Sequence, residues 1–325
     1  MNIVVADDYQ CCVRQLACFS KLRGHTVTIY ETAAADRQEL LERWAQADIL
    51  VVVRERVAVD AELLESLPRL KHIALVGRHS KSIDYDACTR KGIAVTNGVF
   101  ASPIAPAELT MALILSSRRN VVTEANRMKA GLWPSTFSYR LDGSVLGIFG
   151  FGVIAERVAR AASGLGMRVL VWGREGSRER GAAAGYEIAQ SQEDLFRRSD
   201  VLSLHLRYSP QTAGAVTPAD LACMKPSALL VNTARAELIE SGALEHALAQ
   251  GRPGFAAVDV YEHEPVMNGE HPLLKLDNAL CLPHLGWADR ETFELYFGEA
   301  FEQVRLFAEG GELRLVNPNV VIQRH

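Results

Sequence analysis

The strongest constraint in this sequence is a rhythm. Short runs rich in Ile, Val, Leu and Ala, most of them without polar alternation, recur between amphipathic stretches. The first five cover residues 3–6, 26–30, 49–53, 72–76 and 93–96. A strand buried on one face alternates apolar and polar residues, whereas a strand buried on both faces does not. The stretches between them carry a helical period. Leu40, Leu41 and Trp44 share one face of 37–46, and Leu63, Leu64 and Leu67 share another before Pro68. Buried strands alternating with helices predict a doubly wound parallel sheet.

The rhythm breaks after Asn97. A loop holding Pro103 and Pro106 leads into a predicted long helix over 106–130, ended by Gly131. Strands are expected again at 144–149, 168–172, 201–205, 228–232, 255–260 and 279–282. A last helix over 290–308 repeats Phe293, Phe297, Ala300, Phe301, Val304 and Phe307 with a period near 3.6. At about 150 residues per domain, 325 residues suggest two domains. A hydrophobic fraction of 48% is ordinary for soluble domains with substantial cores. The fold class expected is therefore α/β, with two doubly wound parallel-sheet domains.

Composition removes several classes of function. A net charge of -4 and a pI of about 6.2 argue against an electrostatically driven nucleic-acid binder. No apolar run approaches the ~18 residues of a membrane span. Residues 1–8 lack the basic, apolar and small-residue regions of a secretion signal. The six cysteines stand at 11, 12, 18, 88, 223 and 281 with no CxxC pair, so neither a disulfide framework nor a metal site is expected. A cytoplasmic protein with reduced thiols is the expectation.

Residues 146–155, LGIFGFGVIA, match GxGxxG/A at Gly150, Gly152 and Ala155, between an apolar run and an amphipathic one. The first glycine allows a tight turn, the second a close approach of backbone to pyrophosphate, and the small third residue close helix packing. Free N–H groups at the helix start then face the phosphates, which places Phe151, Val153 and Ile154 in the binding loop. Where an acid would meet the ribose hydroxyls of NAD, the next strand ends in Gly173, followed by Arg174 and Glu175. Arg178 and Arg180 stand close by. A guanidinium suits a 2′-phosphate, so an NAD(P) site with a lean to NADP is expected.

Three later strand ends carry ionisable groups: Asn232-Thr233-Ala234-Arg235-Ala236-Glu237, Asp259-Val260-Tyr261-Glu262-His263-Glu264-Pro265 and Pro283-His284-Leu285-Gly286-Trp287. In an open α/β sheet, ligands bind outside the carboxyl ends of the strands. The three segments should therefore converge with the glycine loop.

In this combination the sequence resembles the D-isomer-specific 2-hydroxyacid dehydrogenases, over essentially its whole length. Val76-Gly77-Arg78-His79-Ser80 with Ile83-Asp84 resembles that family's substrate loop, and Thr96-Asn97-Gly98 with Ala107-Glu108-Leu109 its interdomain crossover. The resemblance implies a flavodoxin-like substrate domain, discontinuous over 1–97 and 290–325, and a Rossmann NAD(P) domain over 98–289. It implies that Arg235 binds the substrate carboxylate and polarises the 2-oxo group, that His284 is the general acid/base, and that Glu264 pairs with it. The backbone of Val76, Gly77, Arg78 and His79 would be a second carboxylate clamp. Asp259 would lie near the nicotinamide amide, with His205, Arg207, Thr212, Thr233 and Ala234 also on the cofactor. A small 2-oxo or 2-hydroxy acid substrate and a homodimer follow as expectations. The chemistry agrees: a 2-oxo acid needs a hydride, a proton for the alkoxide, and a planar cation for its carboxylate.

Three positions depart from the family pattern. Ala236 replaces a glycine, Arg207 a proline, and Trp287 a second glycine after Pro-His. Arg207 suits an adenosine phosphate, and Trp287 would narrow or cover the pocket. Two alternatives stay open. One is a phosphorylated substrate such as 3-phosphoglycerate, held by Arg78 and Lys81. The other is a dinucleotide-sensing, corepressor-like interaction protein.

Overall fold

The computed structural model describes residues 1–54 and 56–322. The chain divides into two compact units, one of Met1–Ala101 with the residues from Asp289 onward, the other of Ser102–Ala288. Residues 323–325, which the expected substrate domain includes, lie outside the described residues.

The first unit is built on five parallel strands: β1 (Asn2–Val5), β2 (Thr26–Ile29), β3 (Ile49–Val53), β4 (His72–Val76) and β5 (Ala94–Thr96). Their order, β2-β1-β3-β4-β5, is the flavodoxin-like one. Every residue of β3 and β4 is buried, which explains the unbroken apolar runs. The helix Arg290–Glu309 belongs to this unit and packs against β4. Asp289 caps it by accepting from Thr292 N at 2.7 Å, and Gly310, at φ +77°, ends it. Its buried face holds Phe293, Phe297, Phe301 and Phe307, and Phe307 stacks on the fully buried His72 at 4.7 Å. Asn317 then ties the chain to β5. Its Oδ1 accepts from Val95 N at 2.9 Å and its Nδ2 donates to Ile93 O at 2.9 Å.

The second unit has seven parallel strands: β6 (Val145–Phe149), β7 (Arg168–Trp172), β8 (Glu187–Ile188), β9 (Val201–Leu204), β10 (Leu229–Asn232), β11 (Phe255–Val258) and β12 (Ala279–Cys281). The order β8-β7-β6-β9-β10-β11-β12 is the Rossmann arrangement extended by one strand. Its direction reverses between β6 and β9, and that switch point is where such sheets bind ligands. The helix Val153–Gly164 follows β6 and buries Ala155, Val158, Ala159 and Ala162 completely.

The long helix expected over 106–130 is instead two, Ile104–Arg118 and Val121–Lys129. The break falls at Asn120, whose φ of +52° is left-handed. Asn tolerates that conformation better than most residues. Arg118, buried at the end of the first helix, gives the break a second cause. Its guanidinium donates to Ser227 O at 2.7 Å and to Asp200 O, which fixes the helix end to the unit's core.

Candidate active site

The glycine loop lies at the switch point. Gly150 has φ +89°, and a Cβ there would lie 2.9 Å from the carbonyl carbon and oxygen of His205, so this turn and this approach both require glycine. Gly152 is different: its φ is -120° and a Cβ would meet nothing within 4 Å. The space in front of Gly152 is open, and the first amides of Val153–Gly164 are the orphan donors of a twelve-residue helix. Val153 is 67% exposed, Ile154 half-buried and Phe151 buried. This is the shape and donor set that a dinucleotide pyrophosphate needs.

The end of β7 carries three arginines, Arg174, Arg178 and Arg180, with Glu175 and Glu179 between them. Gly173, at φ +152°, packs so closely that a Cβ would lie 3.1 Å from Ser177 Cβ and 3.4 Å from Gly150 Cα. That packing leaves no place for an acid at position 173. Arg174 follows, exposed, its guanidinium without a hydrogen-bond or ion-pair partner among the described residues. Its two neighbours are committed elsewhere. Arg178 lies over the Trp172 ring at 5.1 Å, and Arg180 Nε donates to Phe151 O at 2.8 Å, bracing the glycine loop.

His205 follows β9, half-buried, with its Nε2 2.9 Å from Ser203 Oγ. Burial pushes its pKa down to about 4, so the ring is neutral near pH 7. Arg207 is exposed. Thr212 is buried, and its hydroxyl is spent within its own loop: it accepts from Ser209 N and donates to Arg207 O, both at 2.8 Å.

Arg235 follows β10. The buried side chain of Asn232 shapes its loop, accepting from Ala234 N at 3.0 Å and donating to Arg235 O at 2.8 Å. Thr233 Oγ1 lies 2.8 Å from Thr110 Oγ1, which anchors the loop to the helix Ile104–Arg118. Ala236 opens a short 3-10 turn with no positive φ, so the family's glycine is not needed there. Neither Asn232 nor Thr110 stood out in the sequence. A buried amide at the end of an apolar run was the available signal.

The remaining pair joins the loops after β11 and β12. His284 Nδ1 lies 2.5 Å from Glu264 Oε2, and both side chains are about one-fifth exposed. Glu264 Oε1 accepts from Tyr261 N at 2.9 Å. Burial works to raise the Glu264 carboxyl, but the hydrogen bond and charge of His284, the Tyr261 amide and the charge of Arg235 outweigh it and hold it below its ordinary value. His284 Nε2 has no partner among the described residues. Asp259, fully buried, accepts from Leu285 N at 2.7 Å and Gly286 N at 2.8 Å. Burial still raises its pKa to about 6, with the nearby Glu264 charge adding to the shift and the two amides and His284 opposing it. Trp287 is buried, so its ring is packed within protein.

In the first unit, Val76 and Gly77 are buried and Arg78 and His79 exposed. Asn97 Nδ2 donates to Arg78 O at 2.5 Å, and His79 stacks on Tyr85 at 6.0 Å. The amides of Arg78 and His79 find no acceptor among the described residues.

A Rossmann-ordered sheet, a glycine loop at its switch point and a His–Glu pair at its carboxyl edge define a class, the NAD(P)-binding α/β oxidoreductases. Comparison with known proteins narrows it. Residues 111–286 match the family model described as D-isomer specific 2-hydroxyacid dehydrogenase, NAD binding domain. A glyoxylate reductase of Aeropyrum pernix is 37% identical over 87% of this chain and 85% of its own. A D-3-phosphoglycerate dehydrogenase of Methanocaldococcus jannaschii is 35% identical over 84% of this chain but only 52% of its own, so this chain spans about half the length of that relative. A phosphoglycerate oxidoreductase structure from Vibrio cholerae is 44% identical, with a TM-score of 0.91 over 96% of this chain and 100% of that one. The chain belongs to the D-isomer specific 2-hydroxyacid dehydrogenase family, oxidoreductases acting on CH–OH groups. No helix among the described residues is long and apolar enough to cross a membrane.

Proposed function

We propose that this protein interconverts a small 2-oxo acid and its D-2-hydroxy acid with NAD(P), glyoxylate or hydroxypyruvate being the preferred substrate type. The observation that carries the reading is the His284–Glu264 pair, which leaves His284 Nε2 without a partner among the described residues while the charge of Arg235 acts on Glu264. The bound cofactor supplies the hydride. Arg235 holds the substrate carboxylate and draws charge from the 2-oxo oxygen. His284 Nε2 gives a proton to that oxygen in reduction and takes it back in oxidation. Glu264 holds the ring in orientation. The free amides at Arg78 and His79 are suited to a carboxylate as well.

In this reading Gly150, Phe151, Gly152, Val153 and Ile154 hold the pyrophosphate, and Thr233, Ala234, His205 and Asp259 flank the nicotinamide side. Thr212 acts only by shaping the 207–212 loop, because its hydroxyl is already bonded there. Arg174, exposed and unpartnered, and Arg207 favour the 2′-phosphate of NADP. The unit built on Met1–Ala101 is read as a substrate domain and the unit Ser102–Ala288 as the cofactor domain.

A homodimer is proposed from one surface of the second unit. Leu132, Trp133 and Phe137 are 50%, 78% and 97% exposed, yet their backbone is pinned. Glu124 accepts from Thr136 N at 3.1 Å, Arg127 donates to Trp133 O at 3.1 Å, and Asn120 to Phe137 O at 3.0 Å. A fixed arm that turns large apolar side chains outward suits a second copy. Sedimentation of W133A/F137A as a monomer, against a dimeric parent, is expected; a monomeric parent refutes it.

The deciding assay follows NADPH oxidation with glyoxylate, hydroxypyruvate and 3-phosphohydroxypyruvate side by side. Turnover of the unphosphorylated acids is expected. A strong preference for the phosphorylated one would move the reading to phosphoglycerate-type chemistry. No turnover of any, with a stable protein partner recovered, would favour the interaction protein.

A further inference from the structure

We propose that Tyr261 is a positioning residue for His284, its hydroxyl fixing the loop that presents the imidazole. The inference rests on the role proposed above for His284.

His284 stands at φ +54°, a left-handed conformation that opposes any side chain with a Cβ. Such a backbone persists only where its surroundings hold it. Downstream, the Asp259 carboxylate takes the amides of Leu285 and Gly286. Upstream there are fewer handles, because Pro283 has no N–H. The Leu282 amide bonds to Val258 O at 2.8 Å, and the Leu282 carbonyl receives the Tyr261 hydroxyl at 3.0 Å. Meanwhile the Tyr261 amide donates to Glu264 Oε1 at 2.9 Å. One buried residue therefore reaches both halves of the His284–Glu264 pair, from its backbone on one side and its side chain on the other.

The ring itself is locked. His271 meets it edge-on at 4.9 Å and 65°. Both His271 nitrogens are occupied: Nδ1 accepts from Leu273 N at 3.3 Å, and Nε2 lies 3.1 Å from Glu262 Oε2. Tyr261→Phe would then delete one hydrogen bond and leave the packing in place.

The test compares Y261F with the parent in the full-length protein. The expected result is a kcat lower by about 3- to 10-fold, the range of one hydrogen bond, with cofactor Kd and substrate KM within about two-fold. The 13Cε1–1H cross-peak of His284, assigned by its loss in H284Q, should shift and broaden in Y261F. An unchanged kcat with an unchanged cross-peak overturns the proposal, as does an equal loss in KM and cofactor binding. If the parent turns over no 2-oxo acid, the proposed reaction fails, and the cross-peak alone decides the positioning role.

Discussion

Gly150 and Gly152 stand two residues apart in one motif, yet the structure gives them different work. A methyl group at position 150 would meet the His205 backbone at 2.9 Å while the residue is held at φ +89°. Left-handed strain costs about 1–2 kcal/mol, and forced displacement in a packed site about 1–3 kcal/mol. Gly150→Ala should therefore destabilise the second unit by about 2–5 kcal/mol. At roughly 2–4 °C per kcal/mol for a unit of this size, its thermal transition should fall by about 4–20 °C. Gly152→Ala places its methyl in open space at φ -120°. Its stability should stay within about 1 kcal/mol of the parent. That same methyl occupies the space assigned to the pyrophosphate, so NADPH Kd should rise by about 5- to 150-fold, the equivalent of about 1–3 kcal/mol of overpacking. Calorimetry and fluorescence titration of both variants read the two effects separately. Equal melting temperatures for G150A and G152A, or parental NADPH affinity in G152A, would refute the reasoning.

Two further outcomes follow from the charges. Asp259 has its pKa raised from 3.8 to about 6, so its contribution to stability is full well below 3.8 and is lost as pH rises through about 6. Relative to D259N, the parent should lose on the order of 2 kcal/mol between pH 4 and 6.5 in urea unfolding; an advantage growing with pH contradicts this. Arg174→Ala should weaken NADPH by about 10- to 150-fold, the worth of a charged hydrogen bond, and leave NADH unchanged. Parallel loss of both cofactors would remove Arg174 from the 2′-phosphate.

Much of this molecule is legible in its sequence, because the inner strands of both sheets are buried on two faces and leave uninterrupted apolar runs. β3, β4 and β7 begin and end where those runs do. β8 does not announce itself, since it is two residues long and carries Glu187. The helix break at Asn120 is nearly as silent, because one of its two causes, the burial of Arg118 against backbone carbonyls of distant residues, leaves no local sign. At the site, ionisable residues are conspicuous and their supports are not. Glu264 and His284 can be picked out as a pair, but Asn232 acts through two hydrogen bonds to loop backbone, Thr110 through one to the Thr233 hydroxyl, and the Tyr261 hydroxyl through one to the Leu282 carbonyl. Gly173 shows the reverse. Its missing acid reads as a cofactor signal in the sequence, while the structure adds a packing reason, the closeness of Ser177 and Gly150.

In the proposed reaction His284, held by Glu264, moves the proton while the cofactor is bound elsewhere on the same unit. Single-turnover reduction of glyoxylate by preloaded NADPH, in the parent and in H284A, tests it most directly. The chemical step should be slower by about 10²- to 10⁴-fold in H284A with NADPH Kd unchanged. An unchanged rate, or a loss explained wholly by weaker NADPH binding, would contradict it.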